Sequence, residues 1–291
     1  MKQVTDGIAM LDLSTDMGGY QVEIHPTLIW DDKDAVLVDA GLSGMVPTIR
    51  YEMEAAGVPL ERLTWIVLTN QDVDHMAGAE ELLAAVGHRV LVIAHVKDTP
   101  YIEGEKPLMK HNASRGPVPK VRVDIMVNHA DVLPVAGGLT VIYTPGHTPG
   151  HMSIYHRNTK TLIVADASEC RNGKLTGPNK ECTPDMAEAL RSLTNLATYD
   201  VKRAVCYHGG LCDRNVNEQI RKLAGQAYGV ANSRCGWNFD PDPRTDHSAT
   251  ARLLSLLIGR WGHTVPTLPS RPQQRRRVDC EANHLGSDVD V

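Results

Sequence analysis

The sequence has few aromatic side chains: one Phe in 291 residues, and 4% aromatic overall. Aliphatic side chains therefore have to supply most of the core. A basic excess is also missing. Lys plus Arg number 30 against 35 Asp plus Glu, a formal charge of −5, which argues against a dedicated nucleic-acid binder. No run of 18 apolar residues occurs, so no membrane span is expected. The opening MKQVTDGIAMLDLSTD carries Asp6, Asp12 and Asp16 and does not read as a secretory signal. None of Cys170, Cys182, Cys206, Cys212, Cys235 and Cys280 stands in a CxxC pair, so free structural thiols and a cytoplasmic setting are expected. There is no G-x-S-x-G elbow and no Gly-rich phosphate loop. What remains, 42% hydrophobic and 22% charged, is the balance of an ordinary globular protein.

The first 230 residues alternate strand-like and helix-like patterns. AVLVDAG (35–41), TWIVLT (64–69), RVLVIAH (89–95), VDIMVN (123–128), GLTVIYT (138–144), HMSIYH (151–156), TLIVADA (161–167) and RAVCYHGG (203–210) read as strands. Helices are expected over 46–57, 76–87, 183–198 and 215–231, the third with Thr183 as N-cap and Pro184 at its first position. Arg157-Asn158-Thr159-Lys160 is a hairpin signal. Lys97 to Pro119 reads as a long loop. Its Tyr101, Glu103, Glu105, Lys106, Lys110, His111 and Arg115 suit a solvated surface as well as a pocket rim. This order gives an α/β or α+β layered domain over 1–230. Residues 231–291 hold no Lys, eight Arg and five Pro, and read as a poorly ordered tail with one possible short helix at 249–259.

Four apolar strands stop at residues of metal-ligand type. TWIVL runs into Thr69-Asn70-Gln71-Asp72-Val73-Asp74-His75, LTVIY into TPGHTPGH with His147, TLIVA into Asp166, and RAVCY into His208. Strand ends are where open sheets place their sites. Carboxylate and imidazole are the donors of zinc and related divalent ions. Asp72, Asp74, His75, His147, Asp166 and His208, with Asn70 as a weak seventh, are enough donors for a pair of ions. Taken singly each has a plainer reading: Asp72 or Asp74 as a helix N-cap, His147 as a turn histidine.

In their order and spacing these motifs resemble the metallo-β-lactamase-fold hydrolases, whose pattern is HxHxDH, a His in a TPGHTPGH-like turn, an Asp at a strand end, and a last His. The resemblance spans about residues 20–230. It implies an αβ/βα four-layer sandwich, two mixed β-sheets flanked by helices. It implies a first metal site at Asn70, Asp72, His147 and Asp166, and a second at Asp74, His75, His208 and Asp166. It makes Asp39 structural and leaves His151 a supporting residue. The first motif departs from the pattern. It reads as the HxDxDH version with Asn70 in place of the first His, so the first site is expected to bind zinc weakly, to prefer Mn²⁺ or Fe²⁺, or to stay empty.

The implied activity is hydrolysis of a carbonyl ester, lactone or thioester in a small molecule by metal-activated water. Zn²⁺ is the expected ion and Asp74 the residue that orients the nucleophile or shuttles its proton. The alternatives are a degenerate member with one metal or none, and an iron-dependent oxidation enzyme of the same fold. No nucleic-acid or membrane partner is expected, and the pocket walls are expected to be aliphatic and polar.

Overall fold

In a computed structural model, residues 1–16, 21–111 and 116–231 are described. The tail from residue 232, with its possible helix at 249–259, lies outside them, as does Arg115. The N-terminal half supplies β1 (Lys2–Thr5), β2 (Ile8–Met10), β3 (Leu13–Asp16), β4 (Gln21–Ile24), β5 (Thr27–Trp30), β6 (Ala35–Val38), β7 (Trp65–Leu68), β8 (Leu91–His95) and β9 (Ile125–Val127). The rest supplies β10 (Val132–Leu133), β11 (Leu139–Tyr143), β12 (Met152–His156), β13 (Thr161–Ala165), β14 (Glu169–Arg171), β15 (Lys174–Gly177), β16 (Arg203–Cys206) and β17 (Gly210–Cys212). One sheet runs β1-β2-β5-β6-β7-β8-β9 and the other β10-β11-β12-β13-β16-β17. Both are mixed: β6 through β9 are parallel to one another, and β13 is parallel to β16, while the other neighbours are antiparallel. The helices are α1 (Val46–Ala55), α2 (Val73–Met76), α3 (Ala79–Val86), α4 (Thr99–Ile102), α5 (Met186–Leu196) and α6 (Val216–Ala231).

The period-two pattern of the strands builds the layers. Along β6, Val36 and Val38 face the second sheet, while Leu37 faces Ile49 and Met53 of α1 and Leu82 and Val86 of α3. Along β7, Val67 faces inward and Ile66 and Leu68 outward. On the second sheet, Ile163 and Val205 meet the first, while Leu162, Val164 and Ala204 lie under Leu193 and Leu196 of α5 and Ile220 of α6. Both faces of these strands are buried, so they are apolar without interruption. Helix, sheet, sheet, helix is thus the order of layers, and the fold is the αβ/βα sandwich expected. The core is aliphatic, with Trp65, Tyr155 and Tyr207 its buried aromatic residues among those described. No described helix is long and apolar enough to cross a membrane.

Three local expectations are corrected. The helix expected over 76–87 starts later, as α3 at Ala79, and is separated from the short α2 before it where Gly78 turns its N–H to the Gly41 carbonyl (2.9 Å), packing so close that a Cβ would sit 2.2 Å from the Ala40 oxygen. The helix expected from Thr183 begins at Met186 with Asp185 as N-cap, its carboxylate accepting the Glu188 N–H at 2.8 Å. The long loop after Lys97 contains α4, whose N-cap Asp98 spends its carboxylate elsewhere, on Gln71, Thr148 and the Gly150 N–H. The 157–160 turn is as expected, joining β12 to β13 in antiparallel register.

His95, the last residue of β8, is 3% exposed and stacks on Tyr143 with ring centroids 4.5 Å apart. Burial, with the Lys97 charge nearby, pushes its pKa down to about 4. In the unfolded chain a histidine titrates near 6.5, so the unfolded state takes up the proton first as pH falls. Stability should therefore decline between about pH 6.5 and about pH 4, by about 3 kcal/mol from this residue alone. Denaturant midpoints measured across that range should fall less in His95→Asn than in the parent chain. Equal slopes would refute this source of acid sensitivity.

Candidate metal centre

Six expected donors arrive at the same end of the two sheets, each in the segment that follows a strand. Asp72, Asp74 and His75 follow β7, His147 follows β11, Asp166 follows β13 and His208 follows β16. For β7, β13 and β16 this is the C-terminal end of parallel strands. The sheets are stitched at this end by backbone bonds, Met152 N–H to Thr69 and His25 N–H to Tyr207, each 3.0 Å. Two of the non-glycine residues with left-handed backbone lie here. Ala165 (φ +51) sits at a register shift between β13 and β16, which swings Asp166 out of the strand alternation, and Asp39 (φ +64) turns back from the end of β6. Two glycines let the chain approach closely. A Cβ on Gly146 would lie 2.3 Å from the Ala189 nitrogen, and one on Gly209 would lie 1.8 Å from the Cys170 oxygen, so His147 and His208 each stand beside a position closed to larger residues.

The donors sort into two clusters, Asp74-His75-His208 and Asp72-His147-Asp166. Asp166, 6% exposed, lies between them: Oδ2 is 2.8 Å from His75 Nε2 and 3.3 Å from His147 Nε2, and Oδ1 is 3.5 Å from His208 Nε2. Asp74 Oδ2 stands 3.4 Å from His208 Nε2 and 3.8 Å from His75 Nε2. Donors bound to a tetrahedral ion at ~2.1 Å stand ~3.4 Å from one another, so the spacing of Asp74, His75, His208 and Asp166 fits a zinc-type ion. Burial alone would raise the Asp166 carboxyl, but His75, His147 and His208 around it outweigh that and hold it well below the usual carboxylate range. Asp74 is also held low, with burial opposed by His75 and His208. Burial opposes charge on His75, yet Asp166, Asp39 and Asp74 together hold its pKa well above the ordinary histidine value.

The supporting residues fix these donors in place. Asp39 Oδ2 lies 2.9 Å from His75 Nδ1, while Oδ1 accepts the Thr69 N–H at 2.8 Å. Tyr207 stacks on the other side of His75, ring centroids 3.8 Å apart. Thr183 Oγ1 stands 3.2 Å from His147 Nδ1. His151 Nε2 accepts the Asp166 backbone N–H at 3.1 Å, and burial pushes its pKa down to about 3, so it stays neutral.

The capping reading of Asp72 does not hold. It occupies the N-cap of α2 without a capping bond, and its carboxylate lies 2.9 Å from His147 Nε2 and 2.5 Å from Lys110 Nζ. Asn70, expected as a weak ligand, has its amide committed: Oδ1 accepts the Asp72 N–H (2.8 Å) and Nδ2 donates to Asp166 Oδ2 (2.9 Å). Lys110 is the residue that sequence reasoning passed over. It was one polar residue among seven in the loop, and nothing in its spacing ties it to His147, 37 positions away.

The profile of the metallo-beta-lactamase superfamily matches residues 21–208. The chain belongs to the metallo-β-lactamase superfamily. Its relatives include the probable metallo-hydrolase YflN of Bacillus subtilis (strain 168), 28% identical over 66% of this chain and 81% of that protein. Another is the hydroxyacylglutathione hydrolase of Acidiphilium cryptum (strain JF-5), 28% identical over 75% of this chain and 70% of that one. Among solved structures, a superfamily protein from Thermus thermophilus superposes with a TM-score of 0.62 at 18% identity, covering 79% of this chain and 82% of its own. FIM-1 from Pseudomonas aeruginosa, in its mono-zinc form, superposes with a TM-score of 0.60 at 16% identity, covering 78% and 94%. At these identities the structural likeness is one of fold.

Proposed function

We propose that this superfamily member is a divalent-metal-dependent hydrolase of a carbonyl ester, lactone or thioester in a small-molecule substrate, with its ion held by Asp74, His75, Asp166 and His208. The observation that carries the reading is the gathering of these four donors, two carboxylates and two imidazoles, at one end of the sheets. An ion bound there supplies Lewis acidity, polarising a carbonyl and lowering the pKa of water from 15.7 to about 7. The chain's own residues do the rest. Asp166 spans from the ion's site to the neighbouring cluster, and Asp39 fixes the ring of His75. Asp74, the most exposed of the three carboxylates that face the two clusters, is ionised at neutral pH. It orients the attacking water and takes up its proton. Zinc suits this donor set. The free cysteines Cys170, Cys182, Cys206 and Cys212 suit a reducing, cytoplasmic setting.

Thioesters belong in the substrate class because one relative is a hydroxyacylglutathione hydrolase. A panel of lactones, thioesters and phosphodiesters, assayed with and without chelator, should show chelator-sensitive turnover on at least one carbonyl substrate. Turnover confined to phosphodiesters would overturn the substrate class. The Asn70 departure favours, as a second reading, a member that binds metal without turnover. Stoichiometric metal together with inactivity across the panel would support that reading instead. Asp72, the hard ligand on which iron-dependent oxidation would rest, is paired with Lys110.

A further inference from the structure

The Asp72-His147-Asp166 cluster, the first site of the family pattern, carries a cation of its own. Lys110 Nζ stands 2.5 Å from Asp72 Oδ2, 2.7 Å from His147 Nε2 and 3.1 Å from the Cys182 carbonyl oxygen. We propose that the Lys110 ammonium takes the place of a first metal ion, so that the chain binds one divalent ion, at Asp74, His75, Asp166 and His208, and uses Lys110 as its second positive charge. The divalent ion in this statement rests on the metallohydrolase reading above.

Space is the first argument. An ion shared by Asp72 and His147 would lie ~2.1 Å from each donor atom. Those two atoms are 2.9 Å apart and both in hydrogen-bond contact with the ammonium, which fills the position in front of them. The lysine is not a loose surface side chain: it is 23% exposed and its three acceptors use all three ammonium hydrogens. The backbone beside it is pinned as well. The Met109 N–H donates to Gln71 Oε1 at 3.0 Å, and Gln71 in turn donates through its backbone N–H and Nε2 to Asp98, at 3.1 and 3.0 Å.

Donor chemistry is the second argument. The Asp72 N–H facing Asn70 Oδ1 fixes which way the amide points, so it is N–H that Asn70 turns toward Asp166, where the family pattern has an imidazole lone pair. The first cluster thus lacks one ligand and already contains a cation. Charge is the third. Three carboxylates, Asp72, Asp74 and Asp166, face the two clusters, and one divalent ion plus one ammonium balances them. A second divalent ion would sit against a fixed like charge in a partly buried site.

Native mass spectrometry and elemental analysis of the full chain, dialysed against excess zinc, test this without reference to activity. The parent chain should hold one zinc. Lys110→Met, which keeps the volume of the side chain and removes the charge, should take up a second zinc at least 10-fold more tightly than the parent. Lys110→Met combined with Asn70→His should fill to two. Two tightly held zinc ions in the parent chain would overturn the lysine substitution and leave the metallohydrolase reading standing. One zinc in all three proteins would likewise overturn it, since the lysine would then not be what excludes the second ion. No zinc in any of them would overturn the metallohydrolase reading and this inference with it.

Discussion

Replacing Asp166 with alanine is expected to strip the bound metal and lower kcat/KM by about 10⁴-fold, a loss of about 5 kcal/mol in transition-state stabilisation. Among the described residues no other carboxylate reaches the histidines of both clusters: its oxygens approach His75 and His147 on one side and His208 on the other. Removing it leaves Asp74 beside His75 and His208 and Asp72 beside His147 with no carboxylate joining the two clusters, and takes away the 2.9 Å acceptor of the Asn70 amide. The backbone should hold its place, because His151 grips the Asp166 N–H rather than its side chain. Asp74→Asn is the informative contrast. Asp166, the carboxylate nearer to His75 (2.8 Å against 3.8 Å for Asp74), remains to hold the ion, so stoichiometry should persist while kcat falls by about 10²- to 10⁴-fold through loss of the proton acceptor. Metal content and steady-state kinetics, measured side by side, separate the two roles. Near-parent activity in Asp166→Ala would mean that the chemistry lies elsewhere.

Asp39→Ala should weaken metal binding by about 10- to 100-fold although Asp39 touches no metal donor atom. Its carboxylate holds the far nitrogen of His75 and at the same time accepts from the Thr69 N–H and hydroxyl. All three partners are buried, and an orphaned buried donor costs about 1–3 kcal/mol. The variant should therefore also unfold at lower denaturant concentration. Asp39→Asn tolerates the left-handed backbone at this position and retains a hydrogen-bonding group, so it should recover most of the stability but less of the affinity. Equal zinc affinity in all three proteins, read by competition with a chromogenic chelator, would remove Asp39 from the positioning role.

The fold was legible because both sheets are buried on both faces. Strands such as Ala35–Val38 and Trp65–Leu68 had to be apolar throughout, and each stops abruptly at a polar residue. That abruptness also marked the donors: Asp72, Asp74, His75, His147, Asp166 and His208 are local events at strand ends, and the structure brings all six together. What could not be read is non-local. Thr183 read as a helix cap from its neighbours, but it sits against His147 because α5 starts two residues later than its proline signals, at Met186. Tyr207 looked like a strand residue until its ring lay on His75. Asp39 was recognised as structural only through resemblance, and its partners, Thr69 and His75, are 30 and 36 residues away. Lys110 is the extreme case. A lysine in a charged loop carries no pattern, and its meaning comes from the 2.5 Å contact with Asp72.

Exhaustive chelation followed by stepwise return of zinc, with hydrolysis of the best panel substrate followed throughout, tests the proposed chemistry most directly. Turnover should vanish with the metal and return in proportion to zinc, reaching its plateau at one equivalent per chain. Turnover that survives complete removal of metal would contradict it.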